Sequence, residues 1–280
     1  MVGKDFIYMG KRLSDFNFIM VKPKEDDTLA LGRSIIGGEI NANKTERKLY
    51  GVKYNEPLIL PMFIVPDECK NSSMKVDTET TRALTKWLSS PKTYKTLRVE
   101  PYNDDIREYI GIFTDIKPYV FNGLNGLHLT FTCNSSFAYI PHQHNFTLNG
   151  QKDIFIYNDT DETEDFIYPV LTFYNIGWGN LKIKNTTYQS AMTMQIPKQF
   201  DELCVDCKNN RIIGDGQKIS LFDLGYTKDN FTANGLFTFD WFKLQSGENK
   251  INFLFLNADG ETNDIKVKVE YKTIAKIGGF

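Results

Sequence analysis

Gly126-Leu-His-Leu-Thr-Phe-Thr-Cys133 alternates apolar and polar residues without a break. A strand points successive side chains to opposite faces. Leu127, Leu129, Phe131 and Cys133 therefore share a face that reads as core, and His128, Thr130 and Thr132 share the outward one. Gly123-Leu-Asn-Gly126, just ahead, carries the glycines of a turn. Short strands bounded by turn residues recur along most of the chain, which predicts a mainly β protein.

Upstream, Arg107–Ile116 and Leu97-Arg-Val read as strands, and before them lies one helical pattern. Leu84, Trp87 and Leu88 recur at helical spacing with Ala83 beside them. Asp77 or Thr78 is a competent N-cap, and Ser90-Pro91 stops the run. Trp87 sits on the apolar stripe of this helix and reads as a core anchor. Leu58–Val65 is apolar on both faces, which predicts a strand covered on both sides, with Pro61 marking an edge or a bulge. Ser34–Ile40 reads as a strand broken by a glycine pair. Asp5–Lys22 alternates, with Phe16, Phe18 and Met20 on one face, and a charged polar loop follows to about Gly32.

Downstream, the character changes between Tyr139 and Asn149, where Pro141-His-Gln-His is followed by polar residues. This stretch reads as a linker, which gives two domains, 1–142 and 147–280. The second is strand after strand: Gln151–Tyr157, Tyr168–Asn175, Asn180–Lys184, Ala191–Ile196, Glu202–Cys207, Arg211–Ile213, Lys218–Phe222, Leu236–Phe242, Lys250–Leu256 and Asp264–Thr273. Turn signals such as Gly177-Trp-Gly, Gly214-Asp-Gly and Ser246-Gly-Glu-Asn separate them. Regular short strands without a helix predict a β-sandwich. In Leu236–Phe242 the alternation places Phe237, Phe239 and Trp241 toward the core.

The bulk numbers fit this reading. The 280 residues are 41% hydrophobic, enough for one large core or two ordinary ones. The formal net charge of −2 shows no basic excess of the kind that grips nucleic acid. No apolar run reaches the roughly 18 residues of a membrane span, and Met-Val-Gly-Lys-Asp at the start lacks the apolar stretch of a signal peptide. Folding in the cytoplasm of the producing cell is expected. In that compartment Cys69, Cys133, Cys204 and Cys207 are expected as free, mostly buried thiols, and the Asn-X-Ser/Thr matches at Asn71, Asn145, Asn185 and Asn230 as chance in an Asn- and Thr-rich chain.

Each candidate for chemistry has a plainer reading beside it. Cys204-Val-Asp-Cys207 invites zinc or redox chemistry, yet two further ligands are missing and residues three apart on a strand face opposite sides. His142 and His144 form an H-x-H pair with no Cys or His cluster nearby, so they read as linker residues. Asp159, Asp161, Glu162, Glu164 and Asp165 resemble a calcium-ligand run only loosely, without the glycine an EF-hand needs. There is no phosphate loop and no G-x-S-x-G elbow, and His128, His142 and His144 are the only histidines available as a base. No catalytic, cofactor-binding or metal residue is assigned, and no enzymatic activity or cofactor is expected. Two other readings compete: a glycan-binding module, with Trp178 between two glycines as the stacking residue against the plainer role of a core turn anchor, and a glycoside hydrolase that would need two facing carboxylates.

An ordered set of motifs across about residues 1–140 resembles the siphophage distal tail protein family. A short strand and a glycine turn, Phe6-Ile-Tyr-Met-Gly, lead to Asp15-Phe-Asn-Phe. Ile35-Ile-Gly-Gly-Glu, Tyr54-Asn-Glu-Pro-Leu-Ile-Leu-Pro, the helix end Lys86-Trp-Leu, Tyr94-Lys-Thr-Leu and Tyr109-Ile-Gly follow in the family's order. The half closes on Gly126-Leu-His-Leu-Thr-Phe-Thr-Cys-Asn-Ser-Ser-Phe-Ala-Tyr. In the second half Leu203-Cys-Val-Asp-Cys, Asn209-Asn-Arg-Ile-Ile and Leu244-Gln-Ser-Gly-Glu-Asn-Lys-Ile are similar to the family's carboxy-terminal domain, with Ser246 where the family usually has proline. The resemblance implies an N-terminal β-sandwich-like domain with one α-helix and a C-terminal sandwich like those of galectins and carbohydrate-binding modules. It implies a homo-hexameric ring at the virion tail tip, between the major tail-tube protein and a tail-associated lysin or fibre hub. Receptor-binding proteins are possible partners on the outer domain, and DNA only passes through the lumen. Strand edges and loops of the first domain, the charged Lys22–Leu31 segment among them, are the expected ring contacts.

Overall fold

The computed structural model describes residues 3–21, 33–37, 49–54, 57–67, 78–101, 106–121, 124–224, 240–258 and 264–276. The Lys22–Leu31 segment, Asp77, Cys69, Asn71, Asn230 and the stretch 236–239 lie outside them. The described residues fall into two compact units, Met1–Ile140 with Ile274–Phe280, and Pro141–Thr273.

In the first unit β1 (Gly3–Tyr8) turns through Met9-Gly10 into the short β2 (Lys11–Arg12). Gly10 has φ +75°, which favours glycine, and a 3₁₀ turn at Leu13–Phe16 leads to β3 (Phe18–Val21). The alternation of Asp5–Lys22 is thus three strands, divided by the Met9-Gly10 turn and by the 3₁₀ turn. Asp5 locks that turn: its carboxylate accepts from the Ser14 amide and hydroxyl and faces Arg12 at 3.6 Å. β4 (Arg33–Gly37) and β5 (Leu49–Tyr54) pair as a separate two-stranded sheet. β6 (Ile59–Pro66), α1 (Thr78–Ser89), β7 (Lys95–Pro101), β8 (Arg107–Phe121) and β9 (Leu124–Cys133) complete the frame.

The fifteen residues of β8 serve two long partnerships and a single further pairing, Glu108 with Tyr139. Arg107–Gly111 pairs with β7, which continues to β1 and β2, and Gly111–Phe121 pairs with β9, which continues to β6 and β3. A bulge between Phe113 and Asp115 marks the second stretch. Gly111 lies where the partnerships meet; a Cβ there would stand 2.2 Å from the Thr132 carbonyl oxygen. Leu127, Leu129, Phe131 and Cys133 are buried, and Phe6, Tyr8, Phe113, Leu84, Trp87 and Leu88 pack into the same cluster. β6 departs from expectation. Leu60, Met62 and Ile64 are buried but Ile59 is 60% exposed, so the first part of the strand has one dry face and not two, while Val65, on the same face as Ile59, is buried. Pro61 lies within a strand paired on both sides, but opposite Thr130, beyond the reach of β3, which pairs only with Phe63–Pro66.

The chain passes into the second unit within β10 (Ala138–Leu148). The stretch read as a linker, Pro141-His-Gln-His, is therefore strand. The next strands are β11 (Gln151–Asn158), β12 (Val170–Ile176), β13 (Gly179–Asn185), β14 (Ser190–Ile196), β15 (Phe200–Asp206), β16 (Arg211–Gly214) and β17 (Gln217–Ile219). β18 (Gly247–Asn257) and β19 (Ile265–Ala275) follow. The unit is an antiparallel sandwich. One sheet runs β17-β16-β15-β12-β19-β10 and the other β11-β18-β13-β14. Leu171, Phe173, Leu203, Val205, Val267 and Val269 from the first meet Ile156, Ile183, Met192, Met194, Ile251 and Phe253 from the second. Full burial of one such side chain contributes about 1.5–3 kcal/mol. The described part of the stretch expected as a strand at Leu236–Phe242 is not one. Residues 240–246 run irregularly with one bridge, Ile167 to Leu244, and Phe242 and Leu244 are buried while Trp241 is only partly covered.

Candidate functional site

No group of three His, Cys, Asp or Glu side chains placed to hold a metal occurs among the described residues. Cys204 lies in β15, half-buried, and Cys207 follows the strand, buried; both are free, as is the buried Cys133. Burial pushes the Cys133 and Cys207 thiols up to about 12 and raises that of Cys204. A thiol at about 12 is ionised in about one molecule in ten thousand at pH 8, and the thiolate is the nucleophile. Iodoacetamide at pH 8 should therefore leave Cys133 and Cys207 unlabelled in the folded chain and label them once it is denatured. Rapid labelling of either in the native state, read by peptide mass, would contradict the packing described.

The two histidines of β10 are brought together with Tyr271 of β19. Their rings lie nearly parallel to the tyrosine, with centroids at 4.9 Å for His142 and 5.8 Å for His144. His142 Nε2 lies 2.9 Å from Thr273 Oγ1 and 3.5 Å from Asp159 Oδ1, and His144 Nε2 lies 3.3 Å from the Tyr271 hydroxyl. Burial, helped by His142, lowers the His144 pKa, and burial pushes the Tyr271 phenol up to about 12. The Tyr271 hydroxyl donates to the Tyr157 carbonyl of β11 at 3.2 Å. These groups clamp a strand end; among the described residues one carboxylate, Asp159, joins them. His128 belongs to the first unit, on the outward face of β9 against Phe63, with centroids at 4.6 Å.

Of the acidic run, Asp159, Asp161, Glu164 and Asp165 are exposed in the irregular stretch after β11. Trp178 stands in the turn between β12 and β13 and is 49% exposed. Its carbonyl accepts from the Ala258 amide at 3.0 Å. The turn is thus held through its backbone, and the indole is not the core anchor weighed above. A groove along α1 is lined by Thr78, Thr81, Arg82, Thr85, Lys86 and Ser89, all side chains of one helix. What the fold displays is a set of sheet edges and loops. The most exposed described aromatics of the second unit are Phe155 and Tyr157 on β11, at 62% and 68%; nothing in their own alternation distinguishes them from ordinary strand residues.

Comparison with known families gives the setting for these surfaces. Residues 1–135 match a family model described as a phage tail protein N-terminal domain, and residues 137–271 match one described as a phage tail C-terminal domain. The chain belongs to the phage tail protein family. A search of curated protein sequences finds no match. Among solved structures, this tail protein is similar to the Dit protein (gp 19.1) of phage SPP1, described as a paradigm of the hub adsorption apparatus in phages that infect Gram-positive bacteria. The TM-score is 0.57 at 12% identity, over 96% of this chain and 98% of that one. The likeness extends across both units of the tail protein and shows a Dit-like fold.

Proposed function

We propose that the chain is the distal tail protein of a phage: a structural ring at the end of the tail tube, without catalytic activity, to which the host-adsorption parts attach. The observation that carries this is the Dit-like fold over 96% of the chain, together with tail-family matches to both halves. Six copies close the ring through the first unit, and Pro141–Thr273 is a domain of its own. A closed ring needs two unlike, complementary patches on each subunit. Its neighbours are the tube protein above and a lysin or fibre hub below, with receptor-binding proteins on the outer domain. A net charge of −2 suits a lumen that lets DNA pass, since basic walls would hold phosphate.

Immunogold labelling and averaged images of assembled tails test this. The expected result is label confined to the tip farthest from the head, on a ring of six subunits. Label along the tube or at the head-proximal end would overturn it. A dilute purified chain that stays monomeric is compatible, because a neighbouring ring can raise the effective concentration at which the interface closes. A second reading, a module that contacts cell-wall glycans, draws on the half-exposed Trp178. Binding of the purified chain to host cell walls, lost in Trp178→Ala, would separate it from a purely architectural role.

A further inference from the structure

Sheet edges carry unpaired amide and carbonyl groups, and proteins shorten, cover or twist such edges to avoid unwanted pairing. The second unit does this at two places. At β14 the Asp240 amide donates to the Ala191 carbonyl at 3.1 Å, covering the outer side of the strand. At the far end of the other sheet, β17 is three residues long. β11 is handled differently. All eight of its residues pair with β18, and no other described strand pairs with it.

The register fixes which backbone groups of β11 remain available. The Phe255 amide donates to the Gly150 carbonyl, so in an antiparallel ladder Lys152, Ile154, Ile156 and Asn158 turn their backbone groups toward β18. Asp153, Phe155 and Tyr157 turn theirs outward. The Tyr157 carbonyl is capped by Tyr271, and the Gln151 amide is used by Asn149. What is left is a row of three donors, the amides of Asp153, Phe155 and Tyr157, and three acceptors, the carbonyls of Gln151, Asp153 and Phe155. The sequence beside this row is Ile154-Phe-Ile-Tyr157, with no proline and an unbroken register. Where β11 ends, Asp159, Asp161, Glu164 and Asp165 stand exposed.

We propose that β11 is a docking edge that takes up an extended segment of a neighbouring tail protein as a fifth strand of its sheet. The proposal rests on the reading of the chain as a tail component. Main-chain pairing to the open row supplies the grip, and alternate side chains of the guest lie beside Phe155 and Tyr157. The guest carries lysine or arginine where it passes the Asp159–Asp165 carboxylates. The charge of that loop favours such a guest over a second copy of β11 paired in parallel, which would set its own acidic loop against this one.

Hydrogen exchange, read by mass on peptides spanning 151–158, tests this in the free chain and in assembled tails. In the free chain the three outward amides should exchange fast while those facing β18 are protected. In tails the same three should slow by about tenfold or more. Equal exchange in the two samples overturns the proposal, and so does protection that already rises with concentration of the free chain, which would mean self-pairing. A glycan stacked on the two rings would leave the amides unprotected and also overturns it. Phe155→Pro gives a second arm. It removes an outward donor and leaves the β18 ladder intact, as proline does on the solvent side of an edge strand. The variant should retain the parent's melting temperature yet lose the protection at Asp153 and Tyr157 in tails, or fail to enter them. Unchanged protection around Pro at that position overturns the assignment. Absence of the unsubstituted chain from purified tails would instead overturn the functional reading itself.

Discussion

Replacing Trp87 by alanine lowers the unfolding free energy by about 3–5 kcal/mol, the range for removing a large buried aromatic. The residue is 7% exposed and joins α1 to the sheet of the first unit. Its ring stacks on Phe6 and Phe16, with centroids at 5.7 and 4.8 Å, and meets Tyr8 edge-on at 6.4 Å. Its Nε1–H donates to the Tyr8 carbonyl at 3.0 Å, so truncation also strands a buried acceptor. Trp87→Phe keeps one stacked ring, loses that hydrogen bond and the rest of the indole, and should cost clearly less than the alanine variant. Chemical denaturation followed by circular dichroism measures both. A loss below about 1 kcal/mol for the alanine variant, well outside the cavity range, would show that the helix does not dock as described.

Asn249→Leu should cost about 2–3 kcal/mol, although leucine is close in size and more apolar. Asn249 is fully buried at the start of β18. Its Nδ2 donates to the carbonyls of Gln245 and Gly247 at 2.8 and 3.0 Å. Its Oδ1 accepts from the Gln245 amide at 3.0 Å and from Asn185 Nδ2 at 2.9 Å. The Gln245 carbonyl keeps Asn158 Nδ2 and Asn185 Nδ2 keeps the Lys243 carbonyl, but leucine leaves the Gln245 amide without this acceptor and removes the bond to Gly247, at about 1–3 kcal/mol for each group that water cannot reach. The same denaturation experiment reads the effect. A variant as stable as the parent would mean that water takes over the partners.

Much of this architecture is legible in residue patterns. The alternation of Leu127–Cys133 gives the buried face of β9, and the apolar stripe of α1 gives Trp87 its place. Most strands of the second unit lie within two residues of where turn signals put them. The failures have physical causes. His142 and His144 occupy slots that an apolar residue would normally fill; they are covered by stacking on Tyr271, 127 or more residues away, so the period-two pattern is present but written in polar letters. At residues 240–242, the described part of Leu236–Phe242, the apolar residues read as a strand, but they lie outside regular pairing and bury Phe242 as an individual side chain. Ile59 is exposed because apolar composition does not say which face of β6 is covered. The open edge of β11 is invisible for a similar reason. Ile154-Phe-Ile-Tyr157 reads as any strand would, and its position at the end of β11-β18-β13-β14 depends on pairings about 100 residues apart in the chain, a matter of topology.

The return of the chain to the first unit after Thr273 bears on the order in which a nascent molecule matures. Ala275 is 7% exposed and belongs to the hydrophobic cluster that holds Phe6, Trp87 and Phe131. Domains tend to fold as they leave the ribosome, amino-terminal ones first. Here the amino-terminal unit lacks a piece of its own core until residue 275 has been translated, whereas Pro141–Thr273 is continuous and emerges whole. Completion of the first unit is thereby deferred until the second has been translated.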